Sequence, residues 1–132
     1  MATAPLEPVD AEELLRLDLS TDACPVSAPP VPADLGASLP RAVVQRDGGQ
    51  RMNPVMDQHL VTVSVWAATW GEAMREANRL AGSIARLPST AGTSIQWRTA
   101  EVTGLPSLAP DPAHPTIPRA QLTAAVTCRA TT

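Results

Sequence analysis

Cys24, Cys128, His59 and His114, with Asp57 and Asp111 close to the histidines in sequence, are of the types that do chemistry in clefts. Imidazoles set among carboxylates can hold a metal ion or exchange protons. His59 opens a predicted strand while His114 sits in a proline-rich loop, so a meeting of the two would be accidental. The cysteines lie 104 positions apart and form no metal-ligand spacing. Cys128 falls on the apolar face of the last predicted strand, where a small buried thiol is the ordinary occupant. A Cys24–Cys128 disulfide is disfavoured in a chain expected to stay in the cytoplasm. There is no glycine-rich phosphate loop, no serine elbow and no Walker pattern. A small metal- or thiol-dependent enzyme is thus the minor reading. No catalytic, metal or cofactor-binding residue is assigned, and no cofactor is expected.

A second set of residues suits contact rather than catalysis. Trp66 points away from the valine face of its predicted strand, and Trp70 lies in the first turn of the following helix. Both fit a second core layer or a subunit interface, where Trp and Arg are enriched among residues that dominate binding. Arg75, Arg79 and Arg86 line one helical face, with Glu72 and Glu76 beside them suited to ion pairing between subunits. Pro110, Pro112, His114 and Arg119, in and just after the proline-rich loop, complete the candidate interface.

The elements that must carry these residues are legible from periodicity. Val61, Val63, Val65 and Ala67 alternate with Thr62, Ser64 and Trp66, the period of a half-buried strand. Thr69 then precedes Glu72 by three positions, a capping-box spacing. Ala73, Met74, Ala77, Leu80, Ala81, Ile84, Ala85 and Leu87 gather on one arc of a helix that Pro88 stops. Asp10, with Glu13 three residues on, starts a short N-terminal helix. Residues 20–40 hold five prolines and leave room only for a short extended piece near Cys24 to Ala28. Strands are predicted at Arg41–Asp47, followed by a turn at Gly48-Gly49, and at Ser94–Thr103. A long final strand alternates through Ala120, Leu122, Ala124, Val126 and Cys128. Between the last two lie residues 104–118, with five prolines, predicted to protrude as an arm or flap. The expected fold is a single α+β domain over residues 1–132, with residues 1–9 flexible. Its antiparallel or mixed sheet of about four to five strands is packed by one long amphipathic helix and a short N-terminal helix.

Composition narrows the class further. The chain has 132 residues, 44% of them hydrophobic, and no lysine, phenylalanine or tyrosine. The missing types have AT-rich codons, so the all-arginine basic set reads as genomic GC bias rather than phosphate recognition. A net charge of −3 speaks against a nucleic-acid binder. That charge is uneven. Residues 1–34 carry seven acids and one arginine, a balance of −6, and residues 35–132 carry six acids and nine arginines, a balance of +3. Head-to-tail contacts between identical subunits can use opposite fields of this kind; a solvated acidic arm is the plainer alternative. No apolar run reaches the ~20 residues of a membrane span. The opening "MATAPLEPVDAEELL" has no basic region or apolar core, so no secretory signal is expected.

A strand ending "VWAAT", the helix "GEAMREANRLAGSIARLP", the loop "PDPAHPTIPR" and a long last strand together resemble the tail terminator proteins of long-tailed bacteriophages, especially those of actinobacteria. The resemblance spans about residues 25–130 and rests most on 57–88 and 105–130. It implies a structural virion protein at the tail neck, assembled in the host cytoplasm. Its copies would form a homohexameric ring that caps the major tail tube protein, ends tube polymerisation and meets the head–tail connector or stopper. DNA would traverse the lumen without sequence-specific contact, and neither enzyme activity nor a membrane would be involved. Another neck component, a stopper or head-completion protein, is the nearest rival, and a non-viral binding module is a third class.

Overall fold

The computed structural model describes residues 4–132. In chain order it contains α1 (Ala11–Leu19), β1 (Val26–Ser27), β2 (Arg41–Asn53), β3 (Met56–Trp66), α2 (Trp70–Ala85), β4 (Thr99–Leu108) and β5 (Arg119–Arg129). The five strands form one mixed sheet in the order β1-β2-β3-β5-β4. β1 runs parallel to β2, and every other neighbouring pair is antiparallel. The described residues thus form an α+β fold, with a five-stranded mixed sheet and two α-helices.

Capping sets both helix starts. The Asp10 carboxylate accepts the Glu13 amide at 3.2 Å, and the Thr69 hydroxyl accepts the Glu72 amide at 3.1 Å. Each satisfies an amide that the first helical turn leaves without a partner. α2 buries Ala73, Ala77, Leu80, Ala81 and Ile84, and α1 buries Ala11, Leu15 and Leu19. Beneath them lie Val61, Val63 and Val65 of β3 and Ala120, Leu122, Ala124 and Val126 of β5. This one-sided packing is the main core. Ala85, counted in the predicted apolar arc, is exposed. A smaller cluster of Leu35, Val43 and Trp66 covers part of the opposite face, with Val31, Leu39 and Ile117 packed against it.

Four predicted features differ. Gly48-Gly49 is not a turn: β2 runs through both glycines, with a register shift between Arg46 and Gly48. The chain reverses instead at Asn53–Met56, where Asn53 Oδ1 accepts the Val55 and Met56 amides, each at 3.0 Å. A side-chain acceptor of this kind can replace the glycine signal of a tight turn. The strand predicted at Ser94–Thr103 starts later and ends later, at Thr99 and Leu108. Asp18 of α1 holds the earlier residues, accepting the Ser94 amide at 2.7 Å and the Trp97 indole N–H at 2.7 Å. Pro106 does not end β4, because an edge strand tolerates a missing N–H. The stretch 104–118 therefore begins as strand, and only 109–118 is loop. Finally, the expected flexible segment 1–9 is docked where it is described. Glu7 pairs with Thr131 and Val9 is buried, while residues 1–3 lie outside the described residues.

Candidate assembly surface

The proline-rich loop is tied down by one carboxylate. Asp111, itself buried, accepts the Trp66 indole N–H at 3.1 Å, the Ala113 amide at 3.0 Å and a ring nitrogen contact from His114 at 3.0 Å. Arg119 lies 3.8 Å from the same carboxylate and 5.8 Å from the centre of the Trp66 ring. Its guanidinium also donates to the Ala109 and Pro110 carbonyls, at 2.7 and 3.2 Å. Burial pushes the Asp111 carboxyl up, but the bonds from His114, Ala113 and Trp66 and the nearby Arg119 charge outweigh it and hold it below its ordinary value. The loop predicted to protrude is thus folded back against the end of β3. The indole N–H and carboxylate that close it are 45 residues apart.

This network sorts the predicted interface residues. Trp66 is 2% exposed and belongs to the second core layer of its own chain. His114 and Arg119 face inward toward Asp111, and both are partly buried. Pro110 and Pro112 are exposed on the outside of the loop. On α2, Trp70 is 42% exposed and Arg75 and Arg86 are exposed. Arg79 is half-buried, its Nε donating to Glu76 at 2.9 Å. Trp70, Arg75, Arg86, Pro110 and Pro112 therefore lie at the surface, whereas the other four are engaged within the chain.

Sequence reasoning missed the most exposed large apolar side chain and its neighbour on the same strand. Leu105 is 79% and Leu108 52% exposed, both on β4. β4 pairs only with β5, so its outer backbone edge is unpaired among the described residues. Register shifts around Gly104 bend this strand where Pro106 also falls. The opposite sheet edge is less open. Glu12 accepts the Arg46 amide at 2.8 Å, and Arg51 reaches the Leu6 carbonyl at 3.1 Å. Leu105 and Leu108 were visible only as apolar residues in a proline-dense stretch, which reads as loop.

The chemistry-bearing residues do not gather in one place. His114 joins Asp111 at one end of β3, whereas Asp57 and His59 lie toward the other, where Arg51 binds Asp57 at 2.7 and 3.1 Å. Seven residues of strand separate His59 from Trp66, roughly 23 Å at ~3.3 Å per residue. Both cysteines are free and buried. Burial pushes both thiols up, Cys128 to about 11 with the help of the Asp57 charge, so little thiolate forms at neutral pH. Among the described residues no three His, Cys, Asp or Glu side chains are placed to hold a metal ion. No described helix is long and apolar enough to cross a membrane. No protein-family model and no curated protein sequence matches the chain.

Proposed function

We propose that this chain is a tail terminator: a structural virion protein whose copies close into a hexameric ring on the end of a phage tail tube. The observation that carries the reading is the unpaired edge of β4, with Leu105 and Leu108 exposed on it. Exposed apolar side chains of this size suit association with another chain. Pro106 and the bulges at Gly104 blunt backbone pairing along this edge, so the contact it offers runs chiefly through the Leu105 and Leu108 side chains. In this reading α2 is the one long amphipathic helix that packs the sheet. Trp70 and Arg75 of α2 and Arg86 at its C-terminal end, all exposed, are the candidates for the second, different surface that head-to-tail closure needs. The two histidines stand toward opposite ends of β3 and both thiols are buried, an arrangement that suits an assembly role.

The partners are then the chain's own copies, the tail tube protein below and the connector or stopper above. Virions made without this chain test the assignment. Overlong tail tubes are expected. Full tailless heads beside tails of normal length would instead place the chain at the head–tail joint, as a stopper or head-completion protein.

A further inference from the structure

Close to Pro8, the core face of the sheet turns polar. Along β2 this face presents Val44, Arg46, Gly49 and Arg51, and their partners on β3 are Val63, Val61, His59 and Asp57. Gly49 keeps its backbone bare, since a Cβ there would sit 1.9 Å from the Gln58 carbonyl oxygen. Over it lies a pocket of about 290 Å³, lined by Pro8, Arg46, Arg51, Asp57 and His59 among others.

Two side chains of this pocket have unused binding capacity. His59 is 2% exposed, and its Nε2 is buried without a hydrogen-bond partner. Buried polar groups are nearly always paired, so an orphaned one calls for an explanation. Arg51 and Asp57 satisfy each other through two bonds. Arg46, by contrast, makes no ion pair among the described residues, although its amide is bonded to Glu12. Arg46 and His59 thus both line the pocket beside one bare stretch of backbone. Both are donors to oxygen, the imidazole in its Nε2–H form.

We propose that this pocket binds a small oxyanion, a phosphate or carboxylate group on a compact molecule, with Arg46 as the cation and His59 Nε2–H as the second donor. Planar guanidinium recognises such oxygens bidentately, and one neutral donor beside it fixes orientation. The pocket lies near the lower size limit of small-molecule sites, which suits a ligand of few atoms. The charged and titratable groups around His59 are Arg46 and Arg51 of β2, Asp57 of β3, Cys128 opposite it on β5 and Glu12 of α1. Burial and then the Arg46 charge hold the imidazole below its ordinary value, against the pull of Asp57. A bound anion counters the Arg46 charge and attracts the imidazolium directly.

Inorganic phosphate and, separately, acetate titrated into the full chain at low salt, with the His59 ring followed by NMR, test this. The expected result is saturable movement of the His59 resonances and an upward shift of their titration midpoint by about one pH unit, a tenfold linkage. Response to both probes assigns oxyanions in general, and response to phosphate alone assigns phosphate groups over carboxylates; either supports the site. Arg46→Gln should weaken binding at least tenfold and leave the thermal midpoint unchanged, since the guanidinium holds no described ion pair. Arg46→Lys should restore part of the affinity. No saturation with either probe, or binding untouched by Arg46→Gln, overturns the proposal. Neither result depends on ring formation or tube capping.

Discussion

Replacing Asp111 by alanine removes the acceptor for a buried indole N–H, and the structure sets the size of the effect. The Trp66 residue is 2% exposed and its indole N–H has no other partner among the described residues, so the substitution leaves it unsatisfied. An orphaned buried donor costs ~1–3 kcal/mol, and the lost bonds to the Ala113 amide and His114 add ~1 kcal/mol. The sum is about 3 kcal/mol. With an m value of ~2 kcal/mol/M for a domain of this size, the urea midpoint falls by roughly 1.5 M. Urea unfolding followed by tryptophan fluorescence measures it. Trp66→Phe supplies the control, because it deletes the donor and keeps most of the apolar bulk. Part of the Asp111→Ala penalty is the orphaned indole, which is absent from the double variant. The double variant should therefore lose about 1 kcal/mol less than the two single losses combined. A loss below ~0.5 kcal/mol in Asp111→Ala, or strict additivity, would refute the claim that this carboxylate clamps the loop to β3.

Other expectations follow from the same physics. Gly49→Ala should destabilise by at least ~2 kcal/mol in thermal unfolding, combining a positive φ of 146° with the clash against the Gln58 carbonyl. Leu80→Ala, at a fully buried position on α2, should cost ~2–5 kcal/mol in the same assay. His59 has a folded pKa below the ordinary 6.5, so the unfolded chain binds its proton first. Its contribution is present above pH ~6.5 and lost as pH falls toward the folded value; a His59→Gln variant should show a flatter stability profile there. The Asp111 carboxyl is also depressed, so its contribution fades only below pH ~4, and Asp111→Asn should remove that acid limb.

Local periodicity made part of this fold readable. The alternation of Val61, Val63 and Val65, the Thr69 and Asp10 caps and the long face of β5 all depend on residues within a few positions of one another. Most of what failed was decided over long distances. Ser94 and Trp97 look like strand residues by type, but Asp18, 76 and 79 positions away, holds them out of the sheet. Gly48-Gly49 has the composition of a turn and also of a bulge, and the local signal that decides between them, Asn53-Pro54, lies a few residues on. The proline-rich loop reads as an arm because its anchor, Trp66, lies 45 residues from Asp111. Trp66 and Trp70 are four positions apart yet divide between core and surface, since only the first is roofed by that loop and its neighbours.

The role of the β4 edge is tested most directly by tube growth in vitro. Purified chain added to polymerising tail-tube protein should halt elongation at a small fraction of the tube subunit concentration, as electron micrographs of tube length would record. A Leu105→Asp, Leu108→Asp variant should keep its thermal stability and lose this effect. Tubes that lengthen equally with and without the wild-type chain would contradict the capping role, and a fully active variant would remove the β4 edge from it.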